Sequence, residues 1–433
     1  MNAWNSLPAP TWVGRVDRHD PVRAIAVDGR FGAARLLVTA GGIPIGTIEL
    51  PLVGGRATAN TVRTALDDAL GTVASPAAPP VSASPLTVVV ATRGRPDSVD
   101  RCVRALLAGD HPDVTVLVVD NDPVDDATAA VVRAIDDKRV RYVREPRRGA
   151  SAGRNRGLLE ADTAIVAFTD DDTEPDRSWA SRITGAFDAE PELDCLSGPV
   201  LAARLGTPEE LAADAALGWS KGYTPRRFAL AAPPADSPIF PFSPGLFGIG
   251  ANLAVRTDVA RAAGGFDEAL GPGSATFSGE DCEFLVRLVL AGNVLGYEPG
   301  IFVWHHHRVD AAALRKQVYG YAVGLGAFLT KIALDPRARR TAVRRIPAAV
   351  SALRRINTQG SATSATSTSG TAAPALPAGS SAARMRGLAA GPRAYLRSRR
   401  ATRRSGGQVP ALAADRPAPA RARKAAPADA LAA

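Results

Sequence analysis

Three consecutive aspartates, Asp170-Asp171-Asp172, are the sharpest chemical feature of this sequence. They follow the apolar run Ala164–Phe168, which is typical of a buried strand. Asp170 and Asp172 can both reach a hard cation, because carboxylate oxygens are the ligands that Mg²⁺ and Mn²⁺ prefer. A cation bound in this way keeps positions open for phosphate oxygens. The alternative interpretation is a solvated acidic turn that caps the following helix.

A run of three histidines, His305-His306-His307, ends the apolar stretch Ile301–Trp304. Side chains alternate along a strand, so His305 and His307 share one face and His306 lies on the other. One neutral imidazole can complete a metal shell with the aspartates. An exposed polar strand end is an equally good interpretation. The three cysteines lack the spacing of a structural zinc site.

Two carboxylates, Glu280 and Asp281, follow Gly279 at the start of an amphipathic segment. A carboxylate at such a position is often a helix cap. It is also suited to be a general base, because the helix dipole favours the anionic form. That role requires an acceptor hydroxyl within hydrogen-bonding reach. The spacing alone leaves both interpretations open.

Polar residues also end two predicted strands and begin one predicted helix. Thr92 and Arg93 end the first strand, Asp120 ends the second, and Arg154 lies in the first turn of the helix Ser151–Glu160. A helix N-terminus and an arginine both favour an anionic ligand. Thr92 and Asp120 can hydrogen-bond a base or a ribose. Taken singly, residues of these types are more often turn or surface residues.

The elements that position these residues alternate between strands and helices. Continuous apolar runs predict buried parallel strands at Leu86–Ala91, Val114–Val119 and Val140–Val143, and before the triple aspartate. Helical patterns lie between them, so we predict an α/β fold with a mostly parallel, doubly wound sheet flanked by helices. Ligands bind beyond the carboxyl ends of such strands, which is where the polar residues collect.

Composition divides the chain into five predicted segments. A hairpin signal around Gly41-Gly42 and a helical pattern after it predict a small α+β unit near the N-terminus. A Pro/Ala/Ser-rich linker follows it, and the end of the chain has a composition typical of disorder. The predicted boundaries are 1–75 for the N-terminal unit of unknown role, 76–85 for the linker, 86–310 for a catalytic domain, 311–356 for a helical extension and 357–433 for a disordered basic tail.

The net charge of +9 is unevenly distributed, since 19 basic and two acidic residues lie beyond residue 336. Arg337–Arg355 alternates arginine pairs with Ala, Val and Ile, which predicts either contact with an anionic membrane or a solubilising tail. No apolar run reaches the ~18 residues of a spanning helix, and the first residues do not resemble a signal peptide. We therefore expect a cytoplasmic protein with no nucleic-acid partner, and peripheral contact with the inner face of the membrane under the first of these two interpretations.

In this order, the motifs resemble glycosyltransferase family 2, whose members have a GT-A fold. Each motif alone is weak, whereas their order and spacing together are specific. The resemblance covers about half of the chain, near one domain length. The motifs that carry it are Val88–Pro96, Val118–Asn121, Gly149–Gly157, Phe168–Asp172, Gly250–Asn252, Gly264–Glu268, Gly279–Asp281 and Trp304–Arg308.

The resemblance implies an inverting glycosyltransferase that takes a sugar from a UDP- or dTDP-type nucleotide-sugar. It implies that Thr92, Arg93 and Asp120 line the nucleotide and that Arg154 contacts the base or the diphosphate. The implied acceptor is a glycan or lipid-linked hydroxyl, in cell-surface glycan or glycolipid assembly.

The resemblance also implies a metal site and a general base. Asp170 would contact the ribose and the metal, Asp172 and His305 would bind Mn²⁺ or Mg²⁺, and Asp281 would be the general base. Two departures from the family pattern bear on this. Asn121 stands where many members carry a second aspartate, and the middle residue of the metal motif is itself an aspartate. The ribose and metal assignments can therefore shift by one position.

Two other classes of function fit parts of the sequence. Asp120-Asn121-Asp122-Pro123-Val124 matches the DxDx[TV] pattern of haloacid-dehalogenase phosphohydrolases, but that interpretation gives Arg154 and Asp281 no role. A non-catalytic protein that binds a nucleotide-sugar or a membrane surface is the other alternative. No GxGxxG follows the first strand, which disfavours a Rossmann dehydrogenase.

Overall fold

The computed structural model describes residues 9–77, 80–217, 221–307, 311–358 and 380–413. Within these ranges the chain forms a small N-terminal unit, a large α/β domain and a set of C-terminal helices. Part of the predicted linker and much of the predicted tail lie outside the described residues.

The N-terminal unit is a three-stranded sheet covered by one helix. Apolar residues on the strands Ala33–Ala40 and Ile43–Pro51 pack against Val62 and Leu66 of the helix, which gives this unit a core of its own. The hairpin turns at Gly41-Gly42, where both residues have positive φ. Its elements are β1 Thr11–Asp17, β2 Ile25–Ala26, β3 Ala33–Ala40, β4 Ile43–Pro51, β5 Arg56–Ala57 and α1 Ala59–Leu70.

Four parallel strands form the half of the main sheet that carries the predicted site. Their order is β8-β7-β6-β9, and Val88, Val90, Val116 and Val118 are fully buried because helices cover both faces. The elements are β6 Leu86–Thr92, α2 Pro96–Leu107, β7 Val114–Asn121, α3 Ala127–Ile135, β8 Val140–Glu145, α4 Ala150–Glu160 and β9 Ile165–Asp170. The predicted α/β class with a mostly parallel sheet is confirmed.

The other half of the sheet is mixed, because the strand Asn252–Arg256 (β14) pairs antiparallel with both β9 and the strand Leu193–Ser197 (β11). The full order is β13-β15-β11-β14-β9-β6-β7-β8, and a small second sheet has the order β10-β16-β12. These elements are β10 Thr173–Pro175, α5 Trp179–Ala189, β11 Leu193–Ser197, β12 Val200–Ala202, α6 Pro208–Leu217, β13 Arg226–Phe228, a 3-10 turn at Pro244–Leu246, β14 Asn252–Arg256, α7 Thr257–Ala262, α8 Glu280–Leu290, β15 Val294–Tyr297 and β16 Val303–His305.

Three helices follow: α9 Ala311–Leu334, α10 Pro336–Thr358 and α11 Ser380–Arg404. The prediction of disorder for the whole of 357–433 is wrong for 380–413. The Ala/Arg-rich segment has high helix propensity, and Gly387 and Gly391 let α11 approach the backbone of α9 closely. Tyr395 and Leu412 are both buried, so this segment is packed against the rest of the protein.

The helices of the described ranges include none that is long and apolar enough to cross a membrane.

Candidate active site

Three neighbouring strands bring polar side chains to one edge of the main sheet. Thr92 at the end of β6 is the pairing partner of Asp120 on β7, and Ala91 pairs with Asp170 at the end of β9. These ends lie side by side because the strands are parallel and in register. The structure therefore gathers Thr92, Asp120 and Asp170, as the sequence predicted.

The triple aspartate divides its side chains between two environments. Asp171 and Asp172 are buried, whereas the Asp170 side chain is 37 % exposed. Asp171 accepts a hydrogen bond from the Thr92 hydroxyl at 2.6 Å. Arg95 donates to Asp171 and, at 2.9 Å and 3.0 Å, to Asp172 Oδ2. Asp170 is thus the aspartate of the motif whose side chain is open to solvent, whereas Arg95 holds both Asp171 and Asp172.

Burial and the neighbouring charge of Asp172 raise the pKa of Asp171 to about 6. Burial would also raise the pKa of Asp172, but its contacts with His305 and Arg95 outweigh burial and hold that pKa well below its usual range. The ionised form of Asp172, which a metal requires, is therefore the favoured one.

Each of the three histidines faces a different acidic residue. His305 Nε2 lies 3.1 Å from Asp172 Oδ1, because β16 pairs with β10 directly after the triple aspartate. His306 Nε2 lies 2.6 Å from Glu174 Oε1, and His307 Nε2 lies 3.7 Å from Asp214 Oδ1 on α6. The His305 side chain thus pairs with the motif that was predicted to bind metal, and His306 contacts that motif through its backbone amide, which donates to the Asp172 carbonyl at 2.9 Å.

Asp172 and His305 form an oxygen and nitrogen donor pair that suits a divalent cation. Asp170 does not join them, because it pairs with Arg154 instead. Across the described residues, no group of three or more His, Cys, Asp or Glu side chains is arranged to hold a metal ion. The residues present thus fit a cation held by two protein ligands, with the remaining positions left for phosphate oxygens or water.

Arg154 is buried at the centre of the site. Its guanidinium donates to Asp170 Oδ1 at 2.9 Å and to Glu280 Oε1 at 2.8 Å, and it lies 5.5 Å from the centroid of the Phe266 ring. Burial opposes the charge of this arginine, but the two carboxylates raise its pKa above its usual value. Burial and the nearby charge of Asp281 raise the pKa of Glu280 to about 7.

Asp281 lies in the first turn of α8 and is half-buried. Its Oδ2 accepts a hydrogen bond from the Gly250 amide at 3.0 Å, and its Oδ1 accepts one from the Cys282 amide at 2.7 Å. The cap position itself is Gly279, which has φ 98°. Asp281 therefore is not the capping residue, and its carboxylate lies beside Glu280, the partner of Arg154.

Asp120 is almost completely buried. Its Oδ2 accepts a hydrogen bond from the Tyr142 hydroxyl at 2.8 Å, while its Oδ1 has no hydrogen-bond partner among the residues that the structure describes. Burial raises the pKa of Asp120. A buried acceptor without a partner is costly, so Oδ1 is poised to accept from a ligand N–H or O–H.

Arg93 does not join the aspartate cluster. It forms a part-exposed pair with Asp122, the residue after β7, at 2.9 Å. Its role in lining the nucleotide stays a prediction.

Three residues beside the site were missed by the sequence reasoning. Arg95 bridges Asp171 and Asp172. In the sequence it belongs to the motif Val88–Pro96, where no role was predicted for it. Lys221 is close enough to Asp281 for their charges to interact, and burial lowers its pKa. Tyr321 on α9 interacts with the charges of Asp281 and Asp170. No local sequence signal marks Lys221 or Tyr321. Lys221 lies in a segment without a regular hydrophobic pattern, and Tyr321 is one of many residues on the long helix α9.

Comparison with known proteins agrees with this arrangement. A model of the family described as glycosyl transferase family 2 matches residues 87–247. The pre-mycofactocin glycosyltransferase of Mycobacterium tuberculosis is 30 % identical over 242 residues, which are 54 % of this chain and 46 % of that protein. The succinoglycan biosynthesis protein ExoO of Rhizobium meliloti is 40 % identical over 95 residues, covering 21 % and 27 %. This chain thus spans less than half the length of these relatives.

A solved structure of the mannosyltransferase PcManGT from Pyrobaculum calidifontis, in complex with GDP-Man and Mn²⁺, is 19 % identical with a TM-score of 0.43. The aligned residues cover 76 % of this chain and 90 % of that one, and at this structural similarity they assign neither a substrate nor a metal to this chain. The family match and the named relatives are sufficient for the class: residues 87–247 belong to glycosyl transferase family 2, and this chain carries a glycosyltransferase domain.

Proposed function

We propose that this chain is an inverting, metal-dependent glycosyltransferase that moves a sugar from a UDP- or dTDP-type donor to a hydroxyl acceptor. The proposed setting is cell-surface glycan or glycolipid assembly. The observation that carries the proposal is the double contact of Arg154. It links Asp170, at the strand edge where a nucleotide would bind, to Glu280, the neighbour of the proposed base Asp281.

The strand edge supplies the donor-binding side. Asp120 offers a buried oxygen without a partner, which suits a donor group on the base or ribose. Thr92 donates to Asp171 and so holds the loop of the triple aspartate in place. In this proposal the exposed side chain of Asp170 contacts the ribose, and Arg154, which already pairs with Asp170 and Glu280, contributes positive charge to the diphosphate side.

Asp281 supplies the acceptor-activating side. In the proposed reaction its carboxylate takes the proton of the acceptor hydroxyl as that oxygen forms a bond to the anomeric carbon. The bond from the anomeric carbon to the diphosphate breaks in the same step, so the configuration inverts. The N-terminus of α8 and the Gly250 amide stabilise the negative charge of Asp281 before proton transfer. Neutralisation of the leaving diphosphate falls to Arg154.

Asp172 and His305 are the residues that would hold the divalent cation. A bound Mn²⁺ or Mg²⁺ would supply positive charge for the leaving diphosphate. Their mutual contact at 3.1 Å supports this assignment, because it places an oxygen donor and a nitrogen donor side by side.

The test is release of nucleoside diphosphate from a panel of UDP-, dTDP- and GDP-sugars, with Mn²⁺, with Mg²⁺ and with chelator. We expect release from one donor class, lost on chelation. Asp281→Asn is expected to lower turnover at least 100-fold while leaving donor affinity within a few-fold. Turnover of Asp281→Asn close to wild type would refute the base assignment. Absence of release from every donor, together with phosphate release from phosphomonoesters, would favour the phosphohydrolase.

Peripheral membrane contact is a separate part of the proposal. Exposed apolar and basic residues alternate on α10, where Val343 and Ile346 flank Arg344. On α11, Leu396 is exposed among a row of arginines, Arg393, Arg397, Arg400 and Arg404. Mixed basic and apolar surfaces favour anionic lipid.

Flotation of the protein with phosphatidylglycerol vesicles tests the membrane contact, with phosphatidylcholine vesicles as the control. We expect flotation with the anionic vesicles only, weakened by Leu396→Ser combined with Arg397→Ser. Equal behaviour with the two vesicle types would remove the proposed contact without touching the glycosyltransferase proposal.

A further inference from the structure

Helix α9 lies directly against the loop that precedes the proposed base. The approach depends on two glycines one helical turn apart, Gly320 and Gly324. A Cβ atom at Gly320 would come within 3.0 Å of the Phe277 Cβ, and one at Gly324 would overlap the Ser278 hydroxyl. That hydroxyl donates to the Gly320 carbonyl at 3.1 Å. The helix backbone is therefore in contact with the chain only a few residues before Glu280 and Asp281.

Tyr321 lies three residues before Gly324 on α9, so it shares the side of the helix that meets this loop, and its hydroxyl interacts with the charge of Asp281. Its hydroxyl accepts a hydrogen bond from Gln317 Nε2 at 3.0 Å. Partial burial, together with the negative charges of Asp281 and Glu280, raises the pKa of Tyr321, and 39 % of the residue is exposed. The phenol thus stays protonated, close to the proposed base, with part of its surface open to a ligand.

Phe277 stands at the other side of this contact, and its backbone is strained. Its φ is 64°, a left-handed conformation that residues with large side chains rarely adopt. The ring is 40 % exposed, and its centroid lies 6.3 Å from that of Tyr319. Strained residues tend to occur at ligand sites, where the surroundings impose the conformation. An exposed aromatic ring is thus held against α9 only four residues before Asp281.

We propose that Phe277, Gln317 and Tyr321 form the acceptor-binding wall of the active site and that they recognise a sugar ring. An aromatic face packs on the C–H face of a sugar, and a phenol and an amide hydrogen-bond its hydroxyls. This inference rests on the proposed function. All three residues lie outside the segment that matches the family, so they are suited to determine what is particular to this chain.

The test uses the full-length protein, the donor found active in the panel, and p-nitrophenyl glycosides of glucose, galactose and mannose as acceptor probes. We expect at least one glycoside to accept the sugar. Tyr321→Phe is expected to raise KM for that glycoside about tenfold, the loss of one hydrogen bond, and to raise KM for the donor less than twofold. Phe277→Gly is expected to raise the acceptor KM as well, without loss of thermal stability, because glycine suits a φ of 64°.

Leu329→Ala is the matched control, since Leu329 is also exposed on α9, by 48 % against 39 % for Tyr321, and lies two turns beyond it. Its KM for both substrates should equal that of the wild type. An acceptor KM unchanged by both Tyr321→Phe and Phe277→Gly would overturn the acceptor wall, and so would transfer to water alone with no glycoside accepted. Either result leaves the glycosyltransferase proposal standing, whereas absence of diphosphate release from every donor would refute both.

Discussion

Arg154 and Glu280 form a buried ion pair, with Nη1 2.8 Å from Oε1, although 126 residues separate them in the chain. Arg154 belongs to the first half of the domain and Glu280 begins α8, next to Asp281. The second amino group of Arg154 contacts Asp170. One guanidinium therefore fixes the position of the proposed base helix relative to the strand edge that is proposed to bind the donor.

Removal of the charge of Arg154 is expected to destabilise the protein strongly. At pH 8, where Glu280 is ionised, Arg154→Gln leaves this carboxylate buried without a cationic partner, and breaking a buried pair in this way costs about 3–5 kcal/mol. Chemical denaturation measures the loss. Arg156→Gln is the control, because Arg156 pairs on the same helix with Glu160 in a part-exposed i,i+4 pair worth less than about 1 kcal/mol. Equal losses in the two variants would show that the buried pair does not hold α8.

The raised pKa of Glu280 predicts a defined dependence of stability on pH. Between pH 4.5 and about 7 the folded protein keeps this proton, whereas the unfolded chain releases it. The free energy of unfolding therefore falls as pH rises through this window, by about 3 kcal/mol at ~1.4 kcal/mol per pKa unit. Denaturation of wild type and Glu280→Gln at pH 5, 6, 7 and 8 tests this. The side chain at position 280 cannot ionise in the variant, so its free energy of unfolding should change less with pH. Parallel dependences on pH in the two proteins would contradict the raised pKa of Glu280.

Local patterns in the sequence were enough to predict the strands and the residues at their ends. Runs such as Leu86–Ala91 depend only on neighbouring residues, and the register of parallel strands then brings Thr92, Asp120 and Asp170 together. The pairing of His305 with Asp172 came instead from resemblance to a family, since no periodicity relates residues 133 positions apart.

The contributions of the C-terminal helices were not predictable in this way. Tyr321 reaches the site because Gly320 and Gly324 allow a close backbone approach, and in sequence those glycines look only like weak points of a helix. For 380–413, a composition without acidic residues up to Ala413 resembles a disordered tail. Its order depends on burial of a few apolar side chains against distant elements, which composition does not reveal.

Two adjacent histidines allow a matched test of the metal assignment. His305 contacts Asp172, whereas His306 contacts Glu174. His305→Ala is expected to raise the Mn²⁺ concentration needed for half-maximal turnover at least tenfold, because it removes one of two protein ligands. His306→Ala should leave that concentration within about twofold. Titration of activity with Mn²⁺ after chelation measures both; equal shifts would show that the strand, and not the His305 imidazole, supports the cation.

Truncation tests whether the C-terminal helix belongs to the folded domain. Lys331 on α9 lies 2.6 Å from Asp267 and 2.8 Å from Glu283, and the Tyr395 hydroxyl from α11 closes this buried network. Leu412, 1 % exposed, packs into the main core beyond it. A chain ending at residue 379 opens the network to water and exposes that core, so its melting temperature should fall by several degrees relative to a chain ending at residue 413. Equal melting temperatures would mean that the contacts of α11 contribute no net stability, and the segment would then be an appendage of the catalytic domain.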